Sequence, residues 1–268
     1  MRTLRSLLLL SGALPLAACG DGDGNPTGGL ASTADAELLD GDPDAAPALA
    51  IRPVSHASFV LTHGETVVYN DPVGGAAAYA GFPAADLVLV SDVHGDHLDS
   101  ATLAAVVGDD AELVVPQAVA DRLPPTLAAR ARVLANGATA TVAGVGVEAV
   151  PMYNLREEAR QFHPKGRGNG YVLTLGEERV YVAGDTEDIP EMRALADIDV
   201  AFVPMNLPYT MPATAAADAV LAFAPARAVP YHFRGTEGLA DTAAFCRLVE
   251  AGGATEVVAM DWYPGRAE

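Results

Sequence analysis

The sequence is poor in long apolar runs, in positive charge and in cysteine, and each shortage excludes a class of protein. No apolar run reaches the roughly 18 residues of a conventional transmembrane helix. Lys and Arg number 16 against 35 Asp and Glu, giving a formal charge of −19. Repulsion from phosphates then argues against nucleic acid as a partner. Two cysteines are too few for a disulfide-stabilised scaffold.

What is present indicates a globular protein. Half of the 268 residues are hydrophobic and 19% are charged, which excludes a disordered chain and a coiled coil. The length suits one large domain or two small ones. The pattern carries no signal for the oligomeric state.

The first residues read as a secretory signal. Two early arginines precede the ten-residue apolar stretch Leu7–Leu16, and small residues lead to Cys19. The Leu-Ala-Ala-Cys segment resembles the lipobox of bacterial lipoproteins. The resemblance implies a signal peptide over 1–18, lipidation of Cys19, and a location in the cell envelope. The domain would lie on the extracytoplasmic side, held to the membrane through its N-terminal lipid only. The alternative is an ordinary signal peptide with a chance cysteine.

The segment 19–50 is predicted to be a lipid-anchored, disordered acidic linker. Residues 20–50 are rich in Gly, Ala, Asp and Pro, with seven acidic residues and no basic one, and they show no apolar periodicity. The folded domain is therefore predicted over 51–268. Cys246 falls in a helix-like stretch of it and is predicted to be a small core residue.

Short apolar runs rich in β-branched residues alternate with helical patterns along this domain, which predicts an α/β fold with sheets covered by helices. Helices are predicted at 100–107, 116–123, 213–223 and 240–251. Strands are predicted at 57–62, 66–70, 86–91, 112–115, 131–134, 139–142, 145–150, 170–175, 178–183, 199–204, 227–231 and 255–260.

A cluster of metal-binding residue types follows the apolar run at 87–90. His94, Asp96 and His97 lie within four residues of one another, in a loop at the predicted carboxyl end of a strand. That arrangement favours a metal site. The alternative is a polar loop whose histidines are satisfied by hydrogen bonds.

Four further candidates fall at strand-to-loop junctions. They are His56 before the first predicted strand, His163, Asp185 in a Gly-Asp-Thr segment, and His232 after a strand. A single histidine in such a place is usually structural, but the shared placement strengthens the metal-site prediction. Of the six histidines only His63, in a predicted turn, has no assigned role.

The order of these residues resembles the metallo-β-lactamase superfamily over about 51–268. The Ser-His-Ala-Ser segment at 55–58, with Asn-Asp-Pro at 70–72, is similar to the branch containing L-ascorbate-6-phosphate lactonase and N-acylphosphatidylethanolamine phospholipase D. The resemblance implies a four-layer αββα sandwich with a two-metal site at the sheet edges. It implies that one metal takes His94 and His163, that the other takes Asp96, His97 and His232, and that Asp185 bridges them.

One position departs from the superfamily pattern, since Asp92 stands where its first histidine is expected. A carboxylate there could ligate zinc or a harder ion such as manganese. Asp92 could instead orient His94, or only cap the following turn.

The implied cofactors are two divalent ions, Zn²⁺ in the first place with Mn²⁺ or Fe²⁺ as alternatives. Such a pair activates water and stabilises a developing oxyanion. Asp96 is predicted to hold the nucleophile or to shuttle its proton, and Asp185 to bridge the metals. His56 is predicted either to donate to the oxyanion or to pack under the first strand.

A basic loop surrounds His163. Its four positive residues at 154–168 are a quarter of the 16 in the chain, which favours a small-molecule substrate with an anionic group. The alternative is a loop of solvated charges. The candidate substrate-binding residues are Arg160, Lys165 and Arg167 in this loop, Arg234 near His232, and Asn206 and Tyr209 as a wall.

Two functions are consistent with the sequence. The first is an envelope-anchored binuclear metal-dependent hydrolase that acts on an ester, lactone, amide or phosphodiester. The second is a non-catalytic metal-binding envelope lipoprotein that keeps the fold for binding or assembly. A retired site is expected to have lost several ligands, and here only Asp92 departs from the pattern, so we favour the enzyme.

Overall fold

The computed structural model describes residues 48–263. The predicted signal peptide 1–18, the lipidation site Cys19 and residues 19–47 of the predicted linker lie outside the described residues and stay predictions. Between residues 48 and 263, no helix has the length and apolar character needed to cross a bilayer.

The first sheet has six strands in chain order, β1 to β6. β1, β2 and β3 pair in antiparallel fashion, and β3, β4, β5 and β6 pair in parallel. The strands are β1 (Leu49–Ser55), β2 (Ser58–His63), β3 (Thr66–Asn70), β4 (Leu87–Leu89), β5 (Glu112–Val115) and β6 (Ala131–Val133).

Three helices cover the outer face of this sheet: α1 (Ser100–Val106), α2 (Gln117–Ala120) and α3 (Pro125–Ala128). Successive side chains of β4 point to opposite faces of the sheet and so separate the two layers of the core. Leu87 and Leu89 face the core between the sheets, whereas Val88 and Val90 pack with the helices on the other side.

The second sheet has seven strands in the order β15-β12-β11-β10-β9-β8-β7. β7 to β10 pair in antiparallel fashion, and β10, β11, β12 and β15 in parallel. The strands are β7 (Thr139–Val142), β8 (Val145–Met152), β9 (Gly168–Leu175), β10 (Glu178–Val182), β11 (Val200–Pro204), β12 (Arg227–Tyr231) and β15 (Glu256–Val257). A separate hairpin pairs β13 (Arg234–Gly235) with β14 (Gly238–Leu239).

The second sheet is also covered by helices, α4 (Pro190–Arg193), α5 (Ala213–Phe223) and α6 (Thr242–Gly252). Cys246 on α6 is buried, as predicted. Between the sheets, Phe59 stacks on Phe202 with ring centroids 4.3 Å apart, and Trp262 meets the edge of Phe59 at 5.8 Å. The layers run helix, sheet, sheet, helix, so the predicted αββα sandwich is confirmed.

The structure adds elements that the sequence did not predict, among them β1, α3 and α4, and it moves the ends of others. β1 begins at Leu49, inside the predicted linker, and its Pro53 is tolerated because β1 is an edge strand. The helix predicted over 116–123 is shorter, Gln117–Ala120, and Pro124 disfavours helical geometry at Leu123, the last residue of the predicted helix.

Candidate metal centre

The predicted metal ligands gather at one edge of the two sheets. β8, β10 and β12 run in the same direction, so their carboxyl ends share an edge, where ligands commonly bind in such sheets. The loop after β4 meets them there. Groups of side chains with atoms close enough for metal binding involve His56, Asp92, His94, Asp96, His97, His163, Asp185 and His232.

Four of these side chains, which we term the His97 cluster, are Asp96, His97, Asp185 and His232. The Nε2 atoms of His97 and His232 are 3.2 Å apart. Asp185 places Oδ2 3.3 Å from His97 Nε2 and Oδ1 3.3 Å from His232 Nε2. Asp96 Oδ2 lies 3.4 Å from His232 Nε2.

The separations among His97, Asp185 and His232 fit three corners of a tetrahedral metal site, which leaves the fourth corner for water. Nitrogen and oxygen ligands bind zinc at roughly 2.0–2.2 Å, so the corners of the tetrahedron lie about 3.3–3.5 Å apart. The chemistry of the donors agrees, because imidazole and carboxylate ligands suit Zn²⁺, Mn²⁺ or Fe²⁺. The His97 cluster therefore fits the ion that the sequence implies.

Asp71 fixes the orientation of His97. The Nδ1 atom of His97 is 2.8 Å from Asp71 Oδ2 and 3.0 Å from Ser91 Oγ. Asp71 in turn accepts hydrogen bonds from the backbone N–H and the hydroxyl of Ser91, each at 2.7 Å. A proton held on Nδ1 by the carboxylate leaves the Nε2 lone pair for a metal ion. Asp71 belongs to the Asn-Asp-Pro segment at 70–72, but the sequence pattern carries no signal for its contact with His97.

The buried carboxylates and histidines of the His97 cluster shift one another's pKa values. Burial raises the pKa of Asp185, but His232, His97 and His163 outweigh it and hold that pKa well below its ordinary value. Burial likewise lowers the pKa of His97, while the Asp185 and Asp71 carboxylates hold it well above its ordinary value. Asp185 Oδ1 is buried without a hydrogen-bond partner among the described residues, as expected of a metal ligand.

His163 approaches the same carboxylate from the loop between β8 and β9. Its Nε2 atom is 3.1 Å from Asp185 Oδ2 and 3.9 Å from Asp92 Oδ2. Its Nδ1 atom is 3.1 Å from the backbone carbonyl of Tyr209 and 3.2 Å from the amide of Asn154. Asn154 and the backbone of Tyr209 therefore set the orientation of His163.

Asp92 is fully buried and makes an ion pair. Arg167 contacts both of its oxygens, with Nε 3.0 Å from Oδ1 and Nη2 2.7 Å from Oδ2. The Nδ1 atom of His94 is 2.8 Å from the same Oδ2. Burial raises the pKa of Asp92, but His94, His97 and Arg167 together lower it.

His56 lies beside the His97 cluster. Its ring packs on His232 with centroids 3.7 Å apart, and its Nε2 atom is 3.4 Å from Asp96 Oδ2. Its Nδ1 atom is 2.7 Å from the hydroxyl of Tyr263. His56 and His232 both have positive φ, 57° and 48°, which residues other than glycine seldom adopt. The turn after β1 thus places His56 at the mouth of the cluster.

The basic loop borders a cleft of about 320 Å³ that is lined by Arg160, Lys165 and Asn154, among others. Asn154 links this cleft to His163. The ammonium of Lys165 is 2.7 Å from Glu191 Oε1, and its side chain is 59% exposed. Arg160 donates through Nε to the Leu155 carbonyl.

The other predicted substrate-binding residues have structural contacts. Asn206 is buried and accepts a hydrogen bond from the hydroxyl of Thr210. Tyr209 packs the edge of its ring against Phe162, with centroids 5.2 Å apart. Arg234 lies over the ring of Tyr263 at 5.2 Å. Their roles toward a substrate stay predictions.

Comparison with known proteins agrees with the fold and gives the family. Residues 50–232 match the beta-lactamase superfamily domain. A UPF0173 metal-dependent hydrolase of Pyrococcus horikoshii is 29% identical over 220 residues, covering 78% of this chain and 95% of that protein. One from Thermus thermophilus is 30% identical over 190 residues, covering 68% and 83%. The solved structure of a candidate metal-dependent hydrolase from Parabacteroides distasonis aligns at 36% identity with a TM-score of 0.72, covering 80% and 94%.

Proposed function

This chain belongs to the beta-lactamase superfamily and, within it, to the UPF0173 metal-dependent hydrolases, and from that premise we propose a reaction and a location. The protein hydrolyses an ester, lactone, amide or phosphodiester bond of a small molecule that carries an anionic group. It works in the cell envelope, anchored through a lipid on Cys19.

The observation that carries the proposal is the convergence of the His97 cluster. Two imidazole nitrogens and the carboxylate of Asp185 stand 3.2–3.3 Å apart, and Asp96 lies beside them, 3.4 Å from His232 Nε2. A divalent metal held there supplies Lewis acidity and an activated water. The sequence predicts two ions; the proposed hydrolysis requires only the one at the His97 cluster.

The remaining groups of the cluster have distinct roles in this proposal. Asp96 is the carboxylate that faces solvent, with 44% of its side chain exposed. Burial raises its pKa, but contacts with His232 and His56 hold it well below its ordinary value, so it stays ionised and can accept a hydrogen bond that orients the water. Asp185 is buried and holds the side chains of His97 and His232 in position. His56 stands where it can donate to an oxygen of the substrate.

The substrate class follows from the cleft beside His163. Lys165 and Arg160 place positive charge there in a protein whose formal charge is −19, and such a local contrast attracts anions. The resemblance to the branch of ascorbate-phosphate lactonase and N-acylphosphatidylethanolamine phospholipase D supports a lactone or a phosphodiester with a charged group.

Metal removal and return test this function. The purified protein is stripped with a chelator, and turnover of a panel of esters, lactones, amides and phosphodiesters is measured before and after adding Zn²⁺, Mn²⁺ or Fe²⁺. We expect turnover to disappear on stripping and to return with metal. His232→Ala should abolish it, whereas His63→Ala, at the end of β2 and outside the groups of potential ligands, should not. A protein that binds metal yet cleaves no compound of any class would favour the non-catalytic lipoprotein.

A further inference from the structure

Asp92 occupies the position at which the superfamily pattern has a histidine, and the structure gives it a cation of its own. The guanidinium of Arg167 contacts both carboxylate oxygens, at 3.0 and 2.7 Å. This paired geometry is the strongest that arginine and a carboxylate form. Asp92 is fully buried, and a buried carboxylate needs such a partner because an unpaired charge there is costly.

Arg167 also contacts the other residues around this position. Its Nη2 atom is 3.5 Å from His94 Nε2 and donates to the backbone carbonyl of Phe162. The other nitrogen of His94 is 2.8 Å from Asp92 Oδ2. The guanidinium therefore lies among the side chains that the superfamily pattern assigns to a first metal ion.

The separations around Asp92 differ from those of the His97 cluster. Asp92 Oδ2 is 2.8 Å from His94 Nδ1 and 3.9 Å from His163 Nε2. The first is a hydrogen-bond length, and neither matches the roughly 3.3–3.5 Å edge of a tetrahedral site. A divalent ion held by Asp92 would also stand within a few ångströms of the guanidinium, and two cations so close repel strongly away from bulk water.

We infer that Arg167 takes the place of the first metal ion, so that the protein binds a single metal, at the His97 cluster. The inference rests on the metal site of the proposed function and narrows it. The positive charge that a second ion would bring to this side of the site is supplied by the guanidinium, which is permanently charged and is held by Asp92. Arg167 is thus a positioning residue and a fixed charge beside the reaction.

Metal stoichiometry tests the inference without any need for a substrate. The full protein is dialysed to equilibrium against Mn²⁺ or Zn²⁺, and the bound metal is measured by elemental analysis. We expect one ion per chain, and the electron paramagnetic resonance signal of bound Mn²⁺ should be that of an isolated ion. Two ions per chain, or a signal of coupled manganese, would overturn the inference. No bound ion would instead refute the proposed function.

Single variants locate the bound ion. His97→Ala should lose it and His94→Ala should keep it. The reverse result would place the ion beside Asp92 and overturn the inference.

A double variant tests the role of the guanidinium directly. Asp92→His together with Arg167→Ala removes the ion pair and restores the superfamily pattern, so the stoichiometry should rise from one to two. If this variant still binds one ion, the guanidinium does not keep the second ion out and the inference fails. Arg193→Ala is the matched control, because within residues 48–263 Arg193 forms ion pairs with Asp188 and Asp218 and with none of the potential metal ligands; its stoichiometry should stay at one.

These variants need a folding control, because Arg167→Ala alone removes the arginine partner of a buried carboxylate and could destabilise the protein. Arg167→Lys keeps the positive charge and should keep one ion per chain. Thermal unfolding of each variant shows whether it is folded before its metal is counted. A folded Arg167→Lys protein that binds two ions would contradict the inference.

Discussion

Asp71 and His97 meet through a carboxylate–imidazole contact of 2.8 Å, and both side chains are fully buried. The contact arises because β3 and β4 are parallel neighbours, with Asn70 paired to Leu89. The residues that follow these strands are therefore brought together. A carboxylate on the far nitrogen of a metal-binding histidine fixes its tautomer and raises its basicity.

Replacement of Asp71 should therefore weaken metal binding although Asp71 would not touch the metal. We expect Asp71→Asn to lower metal affinity about 10- to 100-fold, as measured by competition with a chelating dye. The loss of charge beside Nδ1 makes the Nε2 lone pair a poorer ligand, while one oxygen remains to accept from Ser91.

Asp86 offers a matched control for this change. Its carboxylate accepts from the backbone N–H of Val67 at 2.8 Å, so it is also a structural acceptor in the first sheet, without a histidine. Asp86→Asn should lower stability without changing metal affinity. Equal affinities for the Asp71 variant and the wild type would show that Asp71 does not tune His97.

The basic cleft should discriminate between anionic and neutral substrates. Lys165→Ala is expected to reduce kcat/KM for an anionic substrate about tenfold, the usual scale for loss of one charged contact, and to leave a neutral ester of the same acyl group unchanged. Arg160→Ala should act in the same direction. The measurement is a paired comparison of the two substrates on each variant.

Replacement of Glu191 tests the same cleft by a change that should raise activity. It pairs with Lys165 at 2.7 Å, so it competes with a bound anion for the ammonium. Glu191→Gln should therefore raise kcat/KM for the anionic substrate. If Lys165→Ala slows both substrates equally, or neither, the lysine is a solvated surface charge.

The proposed lipid anchor should be separable from catalysis. Cys19 stands 30 residues before the first strand, which begins at Leu49. Cys19→Ser should release the protein from membranes in a fractionation experiment and leave hydrolysis of soluble substrates intact. A Cys19→Ser protein that stays fully with the membrane would contradict lipidation at this residue.

Local pattern was enough to select the side chains that converge in the His97 cluster, because each one follows a strand that is recognisable by its apolar run. His97 follows β4, Asp185 follows β10 and His232 follows β12. The two-sheet sandwich came from the resemblance that these residues carry. The edge strand β1 was missed because its Arg and Pro residues break the alternation that marks a strand.

The partners of the ligands could not be predicted in the same way. Asp71 is 26 residues from His97 and Arg167 is 75 residues from Asp92, and nothing near either residue in sequence indicates the pairing. Arg167 was assigned to a substrate from its neighbours in the basic loop. Its contact with Asp92 depends on how the β8–β9 loop folds over β4, which is a tertiary effect.

The last prediction concerns Gly170 on β9, whose missing side chain allows the end of β10 to lie close. A Cβ atom at this position would stand 2.7 Å from the carbonyl oxygen of Ala183 and 2.9 Å from that of Val182. Backbone atoms at such distances must move, and Asp185 follows directly after them. We expect Gly170→Ala to cost about 1–3 kcal/mol of unfolding free energy, the usual scale for overpacking, and to weaken metal binding because Asp185 moves away from His97.

Gly81→Ala is the control, since its Cβ would meet nothing within 4 Å, and it should change neither property. Denaturant unfolding and metal titration of both variants check this, and an unaltered metal affinity in a destabilised Gly170→Ala protein would show that the position of Asp185 does not depend on the contact between β9 and β10.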